Sequence, residues 1–300
     1  MLDAVTSGAI SMDVRILVSR FAWKDEKIKI KGIRFVPGGS AANIAVALAH
    51  LGKRVGCLGK VGNDKFGAEL IRGLEAENVT PFVSVADERT GVAIVAITPD
   101  GEKAIYVLSS ANALLSLEDV RPECLDARVF IQTGVSGASF ETAKDNLRRA
   151  KKSGVTTCFS PSLYMLKKPA IIDFLKNTEI LILNRSEATT LSGEKDIKTT
   201  FNKVCKLGPR TIVITSGAKG AVGWFNGEII SSPAFKVKSV DTTGAGDAFT
   251  AGLISVYLDG ADPISMLKYG CANAALKIRY EGTRQTHKKE DVDLFLKKSQ

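Results

Sequence analysis

Residues 44–77 read IAVALAHLGKRVGCLGKVGNDKFGAELIRGLEAE, and this stretch decides the fold class. Ile44–Leu51 is an apolar, alanine-rich run that suits a buried helix, and it stops at Gly52, a residue suited to a helix end. Residues 55–61 form a short, nearly continuous apolar run, as expected of a strand covered on both faces. From Phe66 the spacing changes again: Phe66, Leu70, Ile71 and Leu74 recur at helical intervals through residue 77. The alternation returns downstream. Val129–Thr133, Val155–Phe159, Ile180–Leu183 and Thr211–Thr215 predict short buried strands, and Phe140–Ser153 predicts a polar-faced helix. Such alternation predicts an α/β fold of three layers, a mostly parallel sheet flanked by helices.

Two segments depart from this pattern. Val14, Ile16 and Val18 recur at every second position and point one way, and Lys27-Ile28-Lys29-Ile30-Lys31 alternates charge with isoleucine. Val92–Ile97 and Ala104–Leu108 form a second such pair around the turn Thr98-Pro99-Asp100-Gly101. Period-two runs predict strands with one wet and one covered face. The expectation is a single domain over residues 1–300, with inserts at about 13–36 and 88–109 forming a small sheet. That sheet would serve as a lid or as a dimerisation surface, because an open apolar face needs cover.

Composition narrows the class. Apolar residues make up 45% and charged residues 24% of the 300, as in ordinary globular proteins. The N-terminus shows no basic start with an apolar core and small-residue cleavage site, and no apolar run reaches the roughly 18 residues of a membrane helix. A soluble, cytoplasmic protein is expected, with no membrane partner. The five cysteines are widely spaced with no CxxC, which argues against a zinc or disulfide framework. The net charge of +9 is scattered, without aromatic interleaving or a nucleic-acid motif, so no nucleic-acid partner is expected.

The strongest chemical signal is Asp241-Thr-Thr-Gly244-Ala245-Gly246-Asp247-Ala-Phe-Thr-Ala-Gly252. It follows the strand-like Phe235–Val240 and opens a helical run, Ala248–Leu258. Gly244, Ala245 and Gly246 carry little side chain, so their N–H groups can converge on an anion at a helix start. Asp247 stands at the same point, where a carboxylate can cap the helix or take a proton from an attacking hydroxyl. The plainer reading is a glycine-rich turn with an aspartate cap. Similarly, Pro37-Gly38-Gly39-Ser40 reads alone as a turn and cap, Asp13 as a solvated acid, and Asn184 with Glu187 as a helix start.

Together these blocks resemble the ribokinase-like, or PfkB, carbohydrate kinases. The string DTTGAGDAFTAG is similar to that family's C-terminal signature, and Pro37–Ala45 continuing to Leu51-Gly52 to its N-terminal one. Val61–Gly67, Asn184-Arg185-Ser186-Glu187 and Thr215–Gly220 resemble three further family blocks in the same order, so the likeness covers nearly the whole chain. The resemblance implies ATP- and Mg²⁺-dependent phosphoryl transfer to a hydroxyl of a sugar, sugar derivative or nucleoside. It makes Asp247 the base and Gly244, Ala245 and Gly246 the anion hole. Asp13, Gly38, Gly39 and Asn43 would hold the acceptor. Asn184 and Glu187 would organise Mg²⁺ and phosphates, the Glu187 carboxylate through water; Thr215, Gly217 and Gly220 would line the ATP phosphates, and Asn273 would lie near adenine. Asp241 and Thr243 match positions that contribute to a monovalent cation (K⁺) site in many members. The small sheet matches the family's lid, which often forms a homodimer.

The acceptor is left open. Ribokinases usually carry Lys where this chain has Ser40, and Ser160-Pro161-Ser162 offers no partner for a sugar acid. A catalytically silent binding homologue tends to lose one of the motif positions that are intact here. A nicotinamide-dependent oxidoreductase would need Gly-x-Gly-x-x-Gly after the first strand, where this chain has Ser7-Gly8-Ala9-Ile10. His50 and His287 fall in no motif and read as structural or surface residues.

Overall fold

In the structure, a computed structural model describing residues 1–299, the apolar runs become the strands of one large sheet. The first part of the chain forms β1 (Leu2–Ser7), β2 (Ser11–Leu17), β3 (Gly32–Gly38), α1 (Ser40–His50), β4 (Val55–Gly62), α2 (Lys65–Ala76), β5 (Val79–Ala86), β6 (Val92–Ile97) and β7 (Lys103–Leu108). The middle forms β8 (Ala127–Thr133), α3 (Ser139–Lys152), β9 (Thr156–Ser160), α4 (Leu163–Leu166), α5 (Ile171–Lys176), β10 (Ile180–Asn184), α6 (Arg185–Ser192) and α7 (Ile197–Val204). The chain ends with β11 (Thr211–Thr215), β12 (Ala221–Phe225), β13 (Glu228–Ser232), α8 (Ala245–Leu258), α9 (Pro263–Lys277) and α10 (Lys289–Lys298).

The large sheet has nine strands in the order β13-β12-β11-β10-β9-β8-β1-β4-β5. Its pairs are parallel from β5 to β11, and β12 and β13 add an antiparallel hairpin at one edge. Alternate residues of each central strand feed two cores. Ala4, Val129, Ile131 and Ile182 pack with Ile44, Leu48, Ile254 and Leu267 of α1, α8 and α9. Val5, Phe130, Phe159 and Leu181 pack with Leu147, Phe174 and Phe201 of α3, α5 and α7. Burial on both faces is why these strands show no period-two alternation.

A second sheet of four strands, β3-β2-β6-β7, stands beside the first. Its inner face presents Asp13, Arg15, Ala93 and Val107 towards the large sheet, while Ile33, Phe35, Ile94 and Tyr106 on the outer face are 50%, 53%, 42% and 65% exposed.

Two sequence expectations fail here. Lys27–Lys31 lies outside any strand, because β2 is already paired along its length by residues 32–38 on one side and β6 on the other. Phe235–Val240 also forms no strand. Phe235 packs edge-on against Phe295 (5.1 Å between centroids), and the Val240 N–H donates to Ile278 O at the end of α9 (2.7 Å). Alternation reports a surface with two faces, but a strand also needs a free edge to pair with.

Candidate active site

The C-terminal ends of β1, β8, β9, β10 and β11 open into a cleft of about 460 Å³ beneath the small sheet. This is where ligands bind in open α/β sheets, because the chain diverges there and leaves a crevice. Asp247, in the first turn of α8, lies on its wall and accepts a hydrogen bond from Asn43 Nδ2 (2.8 Å). Asn43 is 6% exposed, and its Oδ1 is buried without a partner among the described residues. Ser162 Oγ, in the same cleft, is a second buried polar atom without one. Buried oxygens left unmatched beside an open cleft are suited to a ligand rich in hydroxyls.

Asp13 enters the cleft from β2, 6% exposed, with Ser11 Oγ donating to its Oδ1 (3.4 Å). Gly38 does not itself line the cleft; a Cβ there would lie 2.3 Å from Asp13 Oδ1, so the glycine makes room for the carboxylate. Gly39 has φ +91°, and its Cβ would meet Ala9 O at 2.3 Å. Only glycine lets β3 turn into α1 there, which delivers Asn43 to the site.

Burial pushes both acids up to about 6, and for Asp13 the charge of Asp247 adds to it. A carboxyl raised in the folded state contributes stability that is full below its unfolded value and is lost as pH rises through about 6. Asp13→Asn is therefore expected to stabilise the protein at pH 8, by up to about 3 kcal/mol, and to have little effect near pH 4. Thermal denaturation at the two pH values checks this; equal shifts at both would refute the assignment of strain to the charge.

The loop before α8 is only partly as the sequence suggests. Gly244 takes a left-handed conformation (φ +78°), and a Cβ on it would lie 2.0 Å from Thr283 O. The N–H groups of Gly244, Gly246 and Asp247 have no protein acceptor among the described residues. That of Ala245, expected in the anion hole, instead donates to Thr242 O (3.2 Å), which corrects its assignment: it closes the turn that aims the others.

A neighbouring cavity of about 650 Å³ shares Asn184, Thr215, Thr242, Ala245 and Gly246 with the cleft. Thr215, Gly217 and Gly220 line it, together with the apolar Phe235, Val237, Phe249, Ala275 and Ile278. Gly220 (φ +88°) permits a tight turn, since its Cβ would strike Ser232 O at 2.1 Å. Asn184 and Glu187 form a reciprocal cap on α6: Asn184 Oδ1 accepts from the Glu187 N–H (2.9 Å), and Glu187 Oε2 accepts from the Asn184 N–H (2.8 Å). Glu187 Oε1 keeps no protein partner among the described residues, and burial raises this carboxyl. No group of three or more acidic, His or Cys side chains gathers as a metal cage among the described residues. One free carboxylate oxygen on a residue lining the cleft, next to Asn184 that lines both cavities, fits Mg²⁺ held mainly by water and nucleotide phosphates.

The Asp241–Thr243 site does not fit an added monovalent cation. Asp241 Oδ1 accepts from Lys103 Nζ (2.7 Å), Thr243 N (3.0 Å) and Thr243 Oγ1 (2.7 Å). Its Oδ2 accepts from Arg15 Nη1 (2.6 Å) and Gly282 N (3.0 Å). These donors hold the carboxyl well below the usual range despite its burial.

Asn273 is also reassigned. It is 0% exposed and lines neither cavity; its Nδ2 donates to Ala248 O (2.7 Å) and Gln285 Oε1 (2.8 Å), while its Oδ1 meets His287 Nε2 (2.7 Å). It ties α9 to α8 rather than touching a ligand. The Val61–Gly67 block is likewise architectural, with Asp64 accepting from Gly67 N, Thr90 N and Thr90 Oγ1 (2.8, 2.8 and 2.6 Å). The sequence reading missed Lys103, Arg15, Lys277 and the cleft residue Tyr164. Only Lys277 left a signal, as a charge ending the apolar helix run Cys271–Leu276.

Comparison with known proteins agrees with this geometry. A model of the pfkB family carbohydrate kinases matches residues 1–290, and the chain belongs to that family. Among its relatives, the ribokinase of Mus musculus is 33% identical, with 97% of this chain and 94% of that protein covered. Arabidopsis thaliana ribokinase, solved with ribose and ATP, superposes with a TM-score of 0.86 at 25% identity over 99% of each chain. A putative ribokinase II from E. coli, solved with ATP and Mg²⁺, gives a TM-score of 0.87 at 25% identity over 99% of this chain and 100% of that one.

Proposed function

We propose that this chain transfers the γ-phosphoryl group of ATP to a hydroxyl of a sugar or sugar derivative, with Asp247 as general base. The observation that carries this is the Asp247–Asn43 pair on the wall of the cleft, beside unpartnered N–H groups and the unmatched Asn43 Oδ1. Asp13 and Asn43 hold acceptor hydroxyls so that one faces Asp247. Asp247 takes its proton as the oxygen forms a bond to the γ-phosphorus and the bond to ADP breaks. The N–H groups of Gly244, Gly246 and Asp247 stabilise charge on the group in transit. The base of ATP occupies the apolar slot at Phe249 and Ala275, with Thr215, Gly217 and Gly220 along its phosphates. Glu187 would hold Mg²⁺ through water, and the metal would supply charge neutralisation when bound.

Residues 1–300 act as one catalytic domain of a cytoplasmic enzyme, and the four-stranded sheet acts as a lid that excludes water, the competing nucleophile. Among the described residues no helix is long and apolar enough to cross a membrane. The lid's outer face, Ile33, Phe35, Ile94 and Tyr106, meets a second copy. Phe35→Glu is expected to shift the protein from dimer to monomer in light scattering; an unchanged mass rules out this surface.

A nucleoside is the second reading for the acceptor, favoured by the half-exposed Tyr164 at the cleft, whose ring could stack on a base. Coupled ADP release with ATP and Mg²⁺ across sugars, sugar phosphates and nucleosides tests the proposal. Turnover on one class, lost with Asp247→Ala, supports it. ATP binding without turnover on any acceptor favours a silent binding protein.

A further inference from the structure

The oxygens at the Asp241–Thr243 site are already taken by the chain's own amines. Lys277, in the last turn of α9, is 2% exposed, and its ammonium donates to the backbone oxygens of Asp241 (3.2 Å) and Gly282 (2.5 Å). Lys103, from β7, donates to Asp241 Oδ1 (2.7 Å), Thr242 Oγ1 (3.2 Å) and Thr243 Oγ1 (2.6 Å). We propose that Lys277 and Lys103 act as a built-in monovalent cation, so that the enzyme needs no K⁺ to set its anion hole; this rests on the kinase reading above.

Two arguments support the substitution. The first is chemical. K⁺ in such a place would be met by carboxylate, hydroxyl and carbonyl oxygens, and an ammonium satisfies the same oxygens by hydrogen bonds with the same charge. Lysine is almost never fully buried without partners, so the buried Lys277 needs an assigned role. The second is electrostatic. Lys103 and Arg15 already pair with the Asp241 carboxylate, and Lys277 holds the backbone oxygen of the same residue. A further cation would be repelled by three positive groups and would find both carboxylate oxygens occupied.

The position explains what the lysines do. Asp241 and Thr243 immediately precede Gly244, so holding them fixes the direction of the N–H groups that follow. The charge contributed by Lys103 arrives on the small sheet, which links that sheet to the anion hole.

The test compares tetramethylammonium chloride with KCl at equal ionic strength, reading both turnover and Tm. Wild type is expected to differ by less than about twofold in turnover, with no K⁺-specific rise in Tm. Lys277→Met and Lys103→Met are expected to lose turnover by about tenfold or more and to recover part of it in KCl or ammonium chloride, with a K⁺-dependent rise in Tm. Strong K⁺ activation of wild type, or a K⁺-specific rise in its Tm, overturns the proposal, as does indifference to K⁺ in both variants. If Lys277→Met does not fold, Lys103→Met carries the comparison. The Tm readings need no acceptor, so they stand even if the kinase reading fails through lack of turnover.

Discussion

Asp247→Ala is expected to lower turnover by about 10²–10⁴-fold while leaving ATP affinity within a few-fold. The carboxylate is part-buried on the cleft wall, held by Asn43 Nδ2, in the first turn of α8. Removing it takes away the carboxylate of the helix's first turn, while Thr215, Gly217 and Gly220, which line the neighbouring cavity, are untouched. The pH profile adds a sign. Because burial raises Asp247 to about 6, kcat/KM in the wild type should fall as pH drops through about 6, when the base becomes protonated. Titration calorimetry with ATP and a pH series of initial rates measure both. Near-normal turnover in the variant would remove Asp247 from the mechanism.

Gly244→Ala should be nearly as severe, for a different reason. The position has φ +78°, where an L side chain is strained, and its Cβ would lie 2.0 Å from the backbone oxygen of Thr283. Either the loop or Thr283 must move, and Thr283 Oγ1 donates to Pro37 O (2.7 Å) next to the Gly38-Gly39 turn. The disturbance therefore reaches both sides of the site. A loss of about 10²-fold in turnover is expected, with about 1–3 kcal/mol of lost stability. Gly246→Ala is the control: it lies within α8, and nothing stands within 4 Å of its Cβ. Its Tm should hold or rise slightly, since Ala favours a helix over Gly by about 1 kcal/mol. Equal losses of Tm in the two variants would show that backbone conformation at residue 244 is not what the glycine provides.

These experiments bear on residues whose roles could be read at different depths. Asp247 and the glycines before it were legible because a helix N-terminus with an acid and no bulky side chains is a local arrangement. Asn184 and Glu187 were legible twice over, since the cap that the spacing predicts forms as expected while one Glu187 oxygen remains free towards the cleft. Asn273 misled because a polar residue in an apolar helix can face a ligand or another buried polar group, and here it meets Gln285 and His287. The Lys27–Lys31 alternation misled because its pattern is local and its pairing is not.

By itself, then, the sequence determined the layered α/β architecture, the small accessory sheet and the place of the candidate base at a helix start, since each depends on periodicity or on neighbours a few residues away. Only the tertiary structure decided which charges meet. Lys103 and Asp241 are joined across 138 positions and Arg15 and Asp241 across 226, and no spacing rule relates them. An ion pair is a matter of distance in space, and burial strengthens it by removing water. A site read along the chain as a place for an added cation is thereby filled, once the chain is folded, by side chains of its own.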